Sequence, residues 1–252
     1  MKKIGLIILA GGRGTRMNQE IPKVLTEING VSLIEKLLRG VEKFFDKFDI
    51  YIVVGYKGED VINKLGSEYN FIWQREQLGT GHAVIQCKEK LKGKYENILI
   101  LYGDTPFITE KTLRSLVDLH LEDNSIFSMI TLKIENFENE NILYWKFGRI
   151  IRDKSNNVTK IVEFKDSSEY EKNITEVNPA IYCVKDFWLW NNLDNIKNNN
   201  AQSEYYLTDL VFLANNQGID IKTLRVNDSI ELMGINSCND LEIAKKSHKF
   251  DI

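Results

Sequence analysis

The residues best placed to do chemistry come early in the chain. Ile8-Leu9-Ala10-Gly11-Gly12-Arg13-Gly14-Thr15-Arg16-Met17 is followed closely by Pro22-Lys23-Val24-Leu25. Gly11, Gly12 and Gly14 allow a sharp turn whose backbone N–H groups can approach an anion with no Cβ in the way. Arg13, Arg16 and Lys23 bring cations to the same turn, and phosphate oxygens are the ligand such a mixture suits. The spacing fits neither common phosphate template. A dinucleotide fingerprint needs glycine or alanine where Met17 stands, and a P-loop needs Gly-Lys-Ser/Thr after four intervening residues. On spacing alone, a glycine turn with solvated arginines around it remains the competing reading.

Two further stretches carry candidate chemistry. In Gln74-Arg75-Glu76-Gln77-Leu78-Gly79-Thr80-Gly81-His82-Ala83, a glutamine at a strand end offers donor and acceptor together, which suits a pyrimidine edge. The adjacent glycines would let a base lie against backbone; a plain strand–turn–helix corner is the alternative. In Leu101-Tyr102-Gly103-Asp104-Thr105-Pro106, Asp104 either caps the next turn or ligates magnesium, which takes hard oxygens from one or two carboxylates plus substrate phosphates. His82 falls at a helix start, and His120 shares an apolar face with Leu113, Leu116 and Val117. Neither is assigned a proton-transfer role.

The early stretch resembles the activating loop of the sugar-1-phosphate nucleotidyltransferases, and the 74–83 run is similar to the uracil-reading stretch of the bacterial N-acetylglucosamine-1-phosphate uridylyltransferases. The resemblance extends from Ile4 to about Leu241. It implies an α/β, Rossmann-like, mostly parallel sheet flanked by helices (the GT-A-like nucleotidyltransferase fold). It implies UTP and N-acetylglucosamine 1-phosphate as substrates and Mg²⁺ as cofactor. Arg16 and Lys23 would neutralise the triphosphate, and Leu9, Ala10, Gly11, Gly12, Gly14 and Thr15 would wrap it. Gln74 and Gly79 would face the base, with Thr80 near the phosphates and sugar. Asp104 and Asn227 would share the metal, Asn227 being the asparagine of Arg225-Val226-Asn227-Asp228. Tyr102, Gly148, Glu163, Asn178, Tyr206 and Thr208 would surround the sugar. The chain departs from the family pattern at Gly11 and Arg13, at Pro179-Ala180 where Thr-Gly is usual, and in a longer, more aromatic segment from Glu135 to Phe147. The relatives usually carry an acetyltransferase β-helix, and no hexapeptide repeat occurs within these residues. The expectation is therefore use of an already acetylated sugar phosphate by a monomer or weak oligomer.

Composition sets the outer limits. The 252 residues include 36 acidic against 33 basic, which argues against a general nucleic-acid binder. Cys87, Cys183 and Cys238 are scattered, in no CxxC pair, and suggest neither a disulfide framework nor zinc. No apolar run reaches membrane-spanning length and no signal peptide is evident, so a cytoplasmic enzyme is expected. A nicotinamide dehydrogenase is opposed by the failed glycine spacing. A non-catalytic UDP-sugar sensor has no need of Arg16, Lys23 and Asp104 together.

The elements that must position these residues alternate over the first half: strands at Ile4–Leu9, Ile50–Val54, Phe71–Trp73 and Ile98–Tyr102, and helices at 32–45, 59–65, 80–91 and 109–121. Ser32 and Glu35 are spaced as a capping box. Such alternation means βαβ units with ligands at the carboxyl ends of the strands. The second half suggests strands at 127–134, 148–152, 158–163, 176–184 and 221–226, and helices at 185–192, 205–216 and from Asp240. One nucleotidyltransferase domain over 1–252 is expected, with residues 1–125 as its nucleotide lobe and 126–252 as its sugar lobe.

Overall fold

The computed structural model describes residues 4–14, 17 and 20–246, so Thr15 and Arg16 lie outside the described residues. The chain begins β1 (Ile4–Leu9), β2 (Glu27–Ile28), β3 (Val31–Ser32), α1 (Leu33–Val41), β4 (Ile50–Val54), α2 (Gly58–Leu65), β5 (Asn70–Trp73), α3 (Thr80–Ile85), α4 (Lys88–Leu91), β6 (Asn97–Tyr102) and α5 (Glu110–Glu122). It continues β7 (Phe127–Lys133), β8 (Gly148–Arg152), β9 (Val158–Val162), α6 (Glu169–Lys172), β10 (Glu176–Asn178), β11 (Tyr182–Lys185), α7 (Asp186–Asn192), α8 (Asp209–Asn216), β12 (Ile221–Val226) and α9 (Cys238–Lys246).

A ten-stranded sheet runs β5-β4-β1-β6-β11-β7-β10-β8-β9, with β12 on the other side of β7. β5, β4, β1 and β6 are mutually parallel. β7, β8 and β12 run the same way, and β9, β10 and β11 run against them. The period-two alternation of the buried strands sorts their side chains into two layers. Leu6, Ile8, Ile50, Ile52, Leu99 and Leu101 pack with α1, α2 and α5. Ile7, Tyr51, Val53, Ile98 and Ile100 pack with α3, α4, α7 and α8. Fully burying each such side chain stabilises the fold by about 1.5–3 kcal/mol, so the strand ends that carry the site rest on a doubly covered support.

Local signals behave as their chemistry dictates. Ser32 Oγ accepts from Glu35 N at 3.3 Å while Glu35 Oε2 accepts from Ser32 N at 3.0 Å, completing the capping box. His120 is fully buried, its ring nitrogens 2.8 Å from Ser128 Oγ and 3.1 Å from Asn97 Oδ1, as a core histidine should be. The helix expected over 80–91 divides into α3 and α4, and two further expected elements change. The strand expected over 176–184 divides at Pro179-Ala180, because proline has no N–H to donate and Ala180 adopts φ 60°. Its first part, β10, carries the β8–β9 hairpin, and its second part, β11, joins β7 to β6. The helix expected from Tyr205 starts only at Asp209, because residues 205–207 hydrogen-bond to the 78–81 turn instead.

Candidate active site

The carboxyl ends of β1 and β6 open into two adjoining clefts. The first, of about 350 Å³, is lined by Leu9, Ala10, Gly11, Gly12, Lys23, Gln74, Gly79 and Thr80, among others. β1 delivers the glycine turn: Ala10 N donates to Val53 O at 2.8 Å and Tyr56 N to Gly11 O at 3.2 Å, which pins it against β4. A Cβ on Gly11 would sit 3.1 Å from Gln74 Oε1, so this glycine permits the close approach of the glutamine. Gln74 is buried at the end of β5, its Nε2 donating to Gly79 O at 3.0 Å and lying 3.2 Å from His82 Nδ1. His82, which sequence left without a role, thus orients the amide. Gly14 has φ +63° and abuts Lys23, behind the cleft rather than lining it.

The second cleft, of about 470 Å³, contains Tyr102, Gly148, Glu163, Asn178, Tyr206 and Thr208 together. Thr208 Oγ1 donates to Glu163 Oε1 at 3.0 Å, and Asn178 Nδ2 donates to Tyr182 Oη at 2.6 Å. Tyr206 Oη donates to Asp166 Oδ2 at 3.2 Å. Burial pushes the Glu163 carboxyl above the usual carboxylate range, with Asp166, Asp209 and Glu204 adding to it and the Thr208 hydrogen bond opposing it. Burial also raises the Tyr102 hydroxyl, keeping it neutral and able to donate. The result is an arc of donors and acceptors suited to hydroxyl groups.

Thr80, Tyr102 and Asp104 line both clefts. The 78–81 turn is tied to the second cleft by Tyr205 N donating to Leu78 O (2.8 Å), Gly81 N to Tyr205 O (2.7 Å) and Leu207 N to Thr80 Oγ1 (3.0 Å). At the junction, Lys23 pairs with the Asp104 carboxylate and donates to Asn236 Oδ1 at 2.9 Å. Ile235 N donates to Asp104 O at 2.9 Å, which fixes Asn236 beside the aspartate.

This geometry corrects the second metal position. Asn227 is exposed just beyond β12 and outside both clefts, because two strands (β11 and β7) separate β12 from β6. The chain returns through Leu232, Met233 and Ile235, all buried, and sets Asn236, not Asn227, beside Asp104. The apolar run Leu232-Met233 leading to Gly234-Ile235-Asn236 is the sequence signal that marks this return to the core. Two hard oxygens, from Asp104 and Asn236, converge on the Lys23 ammonium. One carboxylate and one amide oxygen, with phosphates to complete the shell, is a donor set that fits Mg²⁺. Among the described residues no group of three or more His, Cys, Asp or Glu could hold a metal without a substrate. No helix among them is long and apolar enough to cross a membrane.

The chain is similar to known proteins over nearly all its length. A bifunctional protein GlmU of Acetivibrio thermocellus is 40% identical over 94% of this chain and 50% of its own length. One from Caldicellulosiruptor saccharolyticus is 38% identical over the whole chain and 53% of its own length, so the chain spans about half the length of these relatives. The inositol-1-phosphate CTP transferase of T. maritima shares the fold with TM-score 0.71 at 17% identity, over 95% of this chain and 93% of that one. The model of the MobA-like NTP transferase domain matches residues 6–135, and the chain belongs to that family.

Proposed function

We propose that the protein transfers a uridylyl group from UTP to N-acetylglucosamine 1-phosphate, giving UDP-N-acetylglucosamine and pyrophosphate. The observation that carries this reading is the sharing of Asp104 by a glycine-lined cleft and a hydroxyl-binding cleft. Two phosphorylated ligands entering from the two sides bring their phosphates together there. Gln74, its Nε2 held by Gly79 and His82, leaves its Oε1 as a fixed acceptor for the uracil N–H. Glu163, Asn178, Tyr206 and Thr208 supply partners for the sugar.

The chemistry is one in-line displacement. An oxygen of the acceptor phosphate forms a bond to the α-phosphorus of UTP as the bond to the bridging oxygen of pyrophosphate breaks. The nucleophile is already an anion, so no general base is required. Asp104 and Asn236 would hold Mg²⁺, which supplies charge neutralisation to the phosphates. Lys23, freed from Asp104, turns its ammonium to the triphosphate, with Arg16 expected beside it. The rest is positioning: the linked 78–81 and 205–207 backbones hold both substrates in one frame.

The test is a pyrophosphate-release assay crossing UTP, CTP, dTTP and GTP with N-acetylglucosamine, glucose and galactose 1-phosphates. UTP with the acetylated sugar and Mg²⁺ should be fastest, and chelation should stop it. A faster reaction with another pair would overturn the substrate assignment.

A further inference from the structure

The second cleft, which would take the phosphorylated acceptor, is short of positive charge. Among the described residues that line it, Asp104, Glu163, Glu204 and Asp240 are acidic and Lys146 alone is cationic. Burial pushes the Glu163 carboxyl up, and Asp166, Asp209 and Glu204 push it further, so the negative surplus is felt inside the cleft. A sugar 1-phosphate brings more negative charge to it. The chain as a whole offers no general attraction, since 36 acidic residues outnumber 33 basic ones. Lys23 lines the other cleft and is engaged by Asp104 and Asn236. Attraction of the acceptor therefore falls to a cation at this cleft.

Lys146 belongs to the segment from Glu135 to Phe147, and its backbone is pinned on both sides. The buried Arg149 guanidinium donates to Trp145 O at 2.7 Å and to Phe147 O. Trp145 N donates to Ile142 O at 3.1 Å and Phe147 N to Tyr144 O at 3.0 Å. Tyr144 Oη anchors this turn by donating to Ser229 O at 2.7 Å. The next residue, Phe147, reaches the junction of the two clefts. A Cβ on Gly234 would sit 3.8 Å from its ring tip and 3.9 Å from Asp104 Oδ2. Lys146 itself is exposed, and its ammonium makes no ion pair or hydrogen bond among the described residues. Lys160 on β9 and Lys172 on α6, by contrast, are paired, with Glu171 at 3.4 Å and Glu169 at 2.7 Å. An uncommitted ammonium on a fixed backbone suits a phosphate that arrives from solvent.

We propose that Lys146 binds the phosphate of the acceptor, drawing it into the cleft and holding it toward Asp104. The proposal rests on the uridylyl-transfer reading. Its test measures KM and kcat for N-acetylglucosamine 1-phosphate, KM for UTP, and the salt dependence of kcat/KM. The proteins are wild type, Lys146→Gln, Lys146→Glu and Lys146→Arg, with thermal melting as the fold control. Lys146→Gln should raise the acceptor KM about tenfold, the lower range for a lost hydrogen bond to a charged group. It should leave kcat and the KM for UTP close to those of wild type. Lys146→Glu should raise the acceptor KM further, and Lys146→Arg should keep most of the affinity. Added salt should reduce the acceptor kcat/KM less steeply in Lys146→Gln than in wild type, because the charge that salt screens has gone. An unchanged acceptor KM and salt dependence in Lys146→Gln, an equal weakening of UTP, or losses that do not follow side-chain charge would overturn the proposal and leave uridylyl transfer standing. A wild type that turns over no sugar 1-phosphate would instead overturn uridylyl transfer, and the role of Lys146 with it, before any variant is made.

Discussion

Replacing Gly79 by alanine tests the coupling between the two clefts. Gly79 has φ 111° and ψ 176°, a region open essentially to glycine alone. An added Cβ would lie 2.6 Å from Tyr205 O and 2.7 Å from Tyr205 N, both backbone atoms that cannot swing aside. The backbone conformation costs about 1–3 kcal/mol. Relief of the clash requires parting the turn from residue 205, which loses the hydrogen bonds Tyr205 N to Leu78 O and Gly81 N to Tyr205 O. Each is worth about 0.5–1.5 kcal/mol, so the substitution should destabilise by about 4 kcal/mol. For a chain of this length that is a fall in Tm of roughly 10 °C. The turn serves both clefts, so KM should rise for UTP and for the sugar phosphate together. Gly12→Ala is the control: its Cβ would meet nothing within 4 Å, and stability should change by under about 0.5 kcal/mol. Urea unfolding and initial rates decide the matter. A Gly79→Ala protein as stable as Gly12→Ala, or one altered in UTP binding alone, would refute the coupling.

Other outcomes follow from the same geometry. Asn236→Ala should raise the Mg²⁺ concentration needed for half-maximal rate at least tenfold while Asn227→Ala leaves it unchanged, a contrast read by metal titration; the opposite order would restore Asn227 to the site. Gln74→Ala should narrow the UTP-over-CTP preference by about 1–3 kcal/mol, measured as a ratio of kcat/KM; an unchanged ratio would assign base reading to backbone near Ala10 to Gly12. Asp209 is pushed up from 3.8 to about 6, first by burial and then by Asp166. The folded state therefore holds this proton more tightly than the unfolded chain, and the stability it confers is full below pH 4 and lost as pH rises through 6. Asp209→Asn should then stabilise the protein at pH 7 by about 1 kcal/mol, allowing for solvent screening, and remove this group's share of the slope between pH 4 and 6; no gain at pH 7 would refute it.

Much of the site was legible because its residues sit at punctuated strand ends. The glycines after β1, Gln74 after β5 and Asp104 after β6 each follow a buried run, and local pattern alone placed them at one edge of the sheet. Ser32 and Glu35 were legible for the same reason, since a capping box closes within one helical turn. Asn236 was not, because only the tertiary path through Leu232, Met233 and Ile235 brings it back beside Asp104. Nor was the late start of α8, where helix propensity yields to pairing with a turn more than 120 residues away in the chain. Arg149 hides most completely. In sequence it is a charged residue directly after Gly148, a predicted sugar contact, and only the fold shows it buried among rings and carbonyls.

The placement of β11 has a consequence for dissecting the chain. β6, whose end bears Asp104, is bonded to β1 on one side and to β11 on the other, through Tyr182↔Ile100 to Lys185↔Asn97. A fragment ending near residue 125 would keep every parallel strand of the nucleotide side yet leave the outer edge of β6 bare from Asn97 to Ile100. An unpaired, apolar edge of that kind invites pairing with another chain. Expressed alone, such a fragment should be recovered in aggregates. Co-expressed with the remainder it should be rescued, since the missing strand arrives from the other piece. The two halves, proposed to hold different substrates, are thus not expected to be separable modules, and a chimera that exchanges the second half must carry its own β11 in register.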